Sequence, residues 1–169
     1  MKIPVFVSCP TTLSAAQDAS RKRVLRSLDK LNLEPRALGR TDYPAEFPLR
    51  EVYVIAQHCS GGVILGFEQI RVTAGVIKPD TKSAKAIDAA MALSVPSPWN
   101  HLEAGILFGL RLPLLIFREA NISGGVFDNG VSDVFVHTIP GNGWGRGDDA
   151  ALDDVFLRWR SRVGAHYYG

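Results

Sequence analysis

The chain has 169 residues, 46% of them hydrophobic, with 19 Lys and Arg against 17 Asp and Glu and a formal net charge of +2. That length suits one domain able to bury a core without staples, and the composition excludes a disordered or fibrous role. The small net charge excludes the basic footprint of a nucleic-acid binder, and no apolar run reaches the roughly 20 residues that span a bilayer.

Residues 3–8 are short, apolar and β-branched, and Cys9-Pro10 bounds them, so they read as a buried strand. No apolar leader with a small-residue cleavage site precedes them. Cys9 and Cys59 are the only cysteines, which points to a reducing cytoplasm and away from a disulfide framework. His58 beside Cys59 lacks the partners of a structural zinc site, so no metal is expected.

Residues 11–14 form a hydroxyl-rich loop in which Ser14 caps a following helix. Over 15–31 the positions Ala16, Ala19, Val24, Leu28 and Leu31 predict that helix, with a basic outer face at 21–26. Residues 33–38 read as a more exposed second strand. The polar stretch 39–48 then carries Arg40, Thr41 and Asp42, which are placed to face a ligand. A second helix is expected over 49–59, ended by Gly61-Gly62. The continuous apolar run 62–67 predicts a third strand covered on both faces.

Residues 68–96 read as a long loop with a short helix over 83–93. A third helix follows over 98–110, with Ser97 as its cap and Pro98 in its first turn. Residues 113–117 predict the fourth strand. Glycine and Asp-Asn-Gly turns follow, then a fifth strand over 134–139, a glycine-rich bend over 141–147, and a closing helix over 148–163. This alternation predicts one α/β domain over 1–169, a three-layer α/β/α sandwich around a mostly parallel five-stranded sheet of flavodoxin-like type.

In such sheets ligands bind beyond the carboxyl ends of the strands, where strand order reverses. The segment 97–105 stands out there. Trp99 and Glu103 are four apart and share one helix face, and Ala104-Gly105 beside them suit close packing on the sheet. A Glu among Leu102, Ala104, Ile106, Leu107 and Phe108 is costly if it faces the core, whereas an exposed acid near a helix N-terminus needs no further role. Ser8, Thr11, Thr12 and Ser14 lie where phosphate or ribose hydroxyls are well received, or are ordinary turn and cap residues. Arg40 and Arg118 are candidate phosphate contacts. No GxxxxGK[ST] or GxGxxG occurs in a fitting setting, which excludes NTP hydrolysis by a P-loop and a Rossmann dehydrogenase.

The block Ser97-x-Trp99-x-x-x-Glu103 resembles the helix that carries the catalytic Glu of Toll/interleukin-1 receptor (TIR) domains. The opening Val5-Phe6-Val7-Ser8, the helix, Gly-Gly and strand over 49–67, and Leu112-Pro113-Leu114-Leu115-Ile116 are similar to the same family. Glu103-Ala104-Gly105 followed by a buried strand also resembles nucleoside 2-deoxyribosyltransferases and nucleotide N-glycosidases. The likeness covers roughly residues 3 to 118.

Both resemblances imply cleavage at the anomeric carbon of a ribosyl group, with Glu103 as the catalytic carboxylate. Ser8, Thr11, Thr12, Arg40, Asp42, Trp99, Asn100 and His101 are then expected around the substrate, with Trp99 as a wall for a ring. The nicotinamide of NAD is already a cationic leaving group and needs no acid; a neutral base needs a proton donor, for which His101 and Asp42 are the candidates. The resemblance implies NAD or another nucleotide as substrate rather than a bound cofactor, a homo-oligomer, and a place in bacterial nucleotide signalling or antiviral defence. Three alternatives stand beside it: a nucleotide-binding sensor without chemistry, a TIR-like protein-interaction adaptor, and base exchange as in the deoxyribosyltransferases. Trp144, Tyr167 and Tyr168 read as exposed interface candidates.

Overall fold

The computed structural model describes residues 1–39 and 47–169. Arg40, Thr41 and Asp42 lie outside the described residues. The chain runs β1 (Ile3–Ser8), α1 (Ala15–Lys30), β2 (Leu33–Arg36), α2 (Pro48–Gln57) and β3 (Gly62–Gly66). Four short strands follow: β4 (Ile70–Val72), β5 (Gly75–Ile77), β6 (Lys85–Ile87) and β7 (Leu93–Val95). Then come α3 (Pro98–Gly109), β8 (Leu114–Glu119), β9 (Val136–Ile139) and α4 (Asp149–Tyr168).

The central sheet has the order β2-β1-β3-β8-β9, and every neighbouring pair is parallel. It is a three-layer α/β/α fold of flavodoxin-like type, as the alternation of elements predicts. Period-2 side-chain alternation divides each strand between two cores. Val5, Val7, Val63, Leu65, Leu115 and Phe117 face α1 and α4, where Val24, Leu28, Phe156 and Trp159 meet them. Phe6, Ile64, Leu114 and Ile116 face α2 and α3, where Val52, Ile55, Ala104 and Leu107 close the second core. No helix among the described residues is long and apolar enough to cross a membrane.

Glycine is required in β3 for packing rather than for backbone freedom. A Cβ at Gly66 would run into three atoms of the ring of Phe127, which is fully buried. Neither the strand backbone nor a sealed ring gives way cheaply. Gly66→Ala is therefore expected to cost about 1 to 3 kcal/mol, read as a lower midpoint in urea unfolding with an unchanged slope.

The structure corrects several expectations. Residues 83–93 do not form a helix: β6, a single 3-10 turn at Ala89–Met91 and β7 occupy them. The stretch 68–96 is a two-tier antiparallel arm, with β4 paired to β7 and β5 to β6. Its three-residue strands carry too little periodicity to register in a helix-length window. The inner face of α1 consists of Gln17, Ser20, Val24, Ser27 and Leu28, while Ala16 and Ala19 are exposed. Gly105 faces open space, so the close packing on the sheet belongs to Ala104. Trp144 is half-buried, its ring edge-on to Phe117 at 5.5 Å, whereas Tyr168 is exposed.

Candidate functional site

Strand order reverses between β1 and β3, because the chain leaves β1 towards β2 on one side and later reaches β3 on the other. The carboxyl ends of these two strands form the rim on which the switch-point rule places a ligand. A cleft of about 360 Å³ opens there on the α3 side of the sheet. Its walls include Cys9 and Thr11 after β1, Gln69 after β3, Leu38 and Gly39 after β2, and Trp99, Asn100 and Glu103 from α3.

Local sequence aims α3 at this rim. Ser97 caps the helix by accepting from the Trp99 N–H at 3.3 Å, and Pro98 occupies its first turn. The first two turns therefore face the cleft while Ala104 and Leu107 lie in the core. Trp99 and Glu103, one turn apart, stand on the same wall. Trp99 is exposed enough to stack on a bound ring, and Glu103 is only 9% exposed.

The Glu103 carboxyl is held by a short chain of side chains. Ser8 Oγ, 1% exposed at the end of β1, accepts from Asn100 Nδ2 at 2.7 Å. The Ser8 hydroxyl in turn hydrogen-bonds Glu103 and favours its ionised form. With Asn100 Nδ2 on the acceptor side of the hydroxyl, the Ser8 proton is left free for donation to the carboxylate. Burial outweighs this single donor and pushes the Glu103 carboxyl up to about 7 from 4.5. No cation among the described cleft-lining residues opposes the shift. At neutral pH the group is thus shared between acid and carboxylate, the poise suited to proton transfer or to meeting a developing positive charge. Asn100 Oδ1 is buried and has no hydrogen-bond partner among the described residues.

The expected site residues separate into three groups. Ser8, Thr11, Trp99, Asn100 and Glu103 come together, Ser8 through its bond to Asn100 and the others on the cleft wall. His101 turns away: its ring packs edge-on against Phe127 at 5.3 Å, with Gly125 beside it, and Thr12 is exposed off the cleft wall. Arg40 and Asp42 lie outside the described residues. Arg118 donates through Nη1 to the Ile122 carbonyl and is not on this cleft.

Cys9, Leu38 and Gln69 also line the cleft, and sequence reasoning missed them. For Cys9 and Gln69 the usable signal was position, directly after the two strands that flank the reversal. Among the described residues no three His, Cys, Asp or Glu side chains gather to hold a metal ion. No family model matches this chain, and no curated protein does either.

Proposed function

We propose that the cleft cleaves the N-glycosidic bond of a nucleotide at the anomeric carbon, with Glu103 as the catalytic carboxylate and NAD-type dinucleotides as substrates. The observation that carries the reading is one buried carboxyl, oriented by Ser8 and Asn100 and set beside Trp99 at the strand-order reversal. As the C–N bond breaks, its electron pair leaves with the ring nitrogen of the base. Positive charge grows on the sugar, and a fixed carboxylate in a site of low polarity stabilises it. Water adds at the anomeric carbon and gives up a proton. Among the described cleft residues Glu103 is the only carboxyl, and no His stands with it. That arrangement favours a leaving group that needs no protonation, such as a pyridinium-type base.

The pH dependence follows from the sign of the shift. With a cationic leaving group the ionised carboxylate is the active form, so kcat/KM for base release rises with pH through about 7 and then levels off. A neutral purine or pyrimidine leaving group protonated by Glu103 would give the opposite limb. Ser8→Ala removes the bond that favours ionisation, and the rising limb is expected to move to higher pH. Rates measured by chromatography of the released base from pH 5 to 9 check both points. A profile flat through neutrality contradicts the role given to Glu103.

A further inference from the structure

We infer that a second cleft, on the α1 side of the same sheet edge, binds the cis-diol of a ribosyl ring. Its volume is about 430 Å³, larger than the cleft at Glu103. The two clefts stand back to back across the ends of β1 and β3. Thr11, Gln69 and Ser97 line the first, while Ser14, Glu68 and Ser94 line the second.

The second cleft is built around two carboxylates whose positions are fixed by protein donors. Glu119, the last residue of β8, accepts from the Glu68 backbone N–H at 2.6 Å and from Gln17 Nε2 at 3.2 Å. Glu68 accepts from Arg71 Nη2 at 2.5 Å and from the Ser94 hydroxyl. The Arg71 bond, then the Ser94 bond, hold Glu68 below the usual carboxylate range, so it is ionised at neutral pH. A carboxylate offers about four lone-pair sites, and these donors leave some of them for a ligand.

A separate observation points to an occupant. Ser20, on the inner face of α1 and only 6% exposed, lies on the cleft wall, and its hydroxyl has no partner among the described residues.

Charge and donor count select the ligand class. Two carboxylates against the single Arg71 leave the wall net negative, which repels a phosphate placed inside. Among the described residues no third metal-ligating side chain joins them, which disfavours a divalent cation. What remains are acceptors for ligand O–H groups and a hydroxyl that both donates and accepts. A vicinal diol is the neutral group that meets such a set, and a strand-end acid holding a ribose diol is a recurring arrangement in α/β folds.

The diol can belong to the far half of the dinucleotide cleaved at Glu103 or to a separate ribonucleoside. The first source rests on the function proposed above, and the binding assay does not. In the assay, Glu103→Gln protein is titrated with adenosine, guanosine, cytidine and uridine, each beside its 2′,3′-dideoxy counterpart. At saturation at least one ribonucleoside is expected to raise Tm by about 5 °C, and its dideoxy counterpart to raise it far less.

Ala16 is exposed on α1 and lies on the rim, so Ala16→Trp fills the cleft without touching the buried network, and it should abolish the shift. Ser20→Ala should weaken binding about tenfold. In wild-type background, Ala16→Trp then separates the sources. A KM about tenfold higher for NAD but unchanged for nicotinamide mononucleotide marks the far half of the substrate. Unchanged KM for both, with the nucleoside shift lost, marks a separate ligand. The inference is overturned if no ribonucleoside shifts Tm, if dideoxy forms shift it equally, or if the shift survives Ala16→Trp.

Discussion

Glu103→Gln is expected to make the protein more stable at pH 8 and to leave it nearly unchanged below pH 4.5. The carboxyl titrates at about 7 in the folded chain, against 4.5 when it is free of the fold, chiefly because burial penalises its charge. Below pH 4.5 both forms of the chain hold the proton, and the side chain is a neutral, hydrogen-bonded acid. As pH rises to about 7 the unfolded chain gives up its proton first, and stability falls with it. Above 7 the folded chain bears a buried charge that, among the described residues, the Ser8 hydroxyl alone favours, at a cost of about 3 kcal/mol. Gln copies the shape of the neutral acid, keeps an acceptor for Ser8 and does not ionise. Calorimetry at pH 8 should therefore find Tm for the variant about 8 °C above wild type. A difference that stays constant from pH 4 to pH 8 would mean that burial of charge is not its origin.

The same substitution should cost about 10³-fold in kcat for base release, with KM little altered. Gln presents a dipole where a full negative charge is needed, so ground-state binding survives and stabilisation of the cationic transition state does not. Steady-state rates with NAD at pH 8, where wild-type Glu103 is mostly ionised, give the test. The two outcomes also guard each other, because a variant that melts higher than wild type cannot owe its lost activity to misfolding. Retention of half the wild-type rate would remove Glu103 from the chemistry. This pairing, more stable but inactive, is the behaviour of a group placed for function at the expense of folding.

How much of this was legible in the chain depends on the length scale of each signal. The three inner strands β1, β3 and β8 are mostly apolar and buried, and the four helices reach past two turns, so these signals stand out, while the polar, four-residue edge strand β2 is read mainly from its place in the alternation. The Ser97-Pro98 start and the four-residue step from Trp99 to Glu103 were legible because a capped helix turns local spacing directly into a shared face.

The arm over 68–96 escaped because its strands are three residues long and mostly exposed, and pairing across the arm rather than any local preference holds them. His101 illustrates a second limit. It is two residues from Glu103, yet that step turns it to another side of α3, where Phe127 and Gly125 receive it from a turn about 25 residues away in sequence. Gln17 and Ser20 were hidden for a third reason: a hydrophobic stripe cannot mark positions where the inner face of a helix is polar. Their role emerges only when Glu68 and Glu119, from the ends of two other strands, arrive beside them.

The sharpest single measurement is a product balance. Purified wild-type protein is incubated at pH 8 with NAD and a panel of nucleoside monophosphates, and the mixture is separated by chromatography with mass detection. Free base and the matching ribosyl fragment should accumulate in equal amounts, nicotinamide first among the bases. Recovery of every nucleotide intact from folded protein at high enzyme concentration would contradict cleavage at the anomeric carbon.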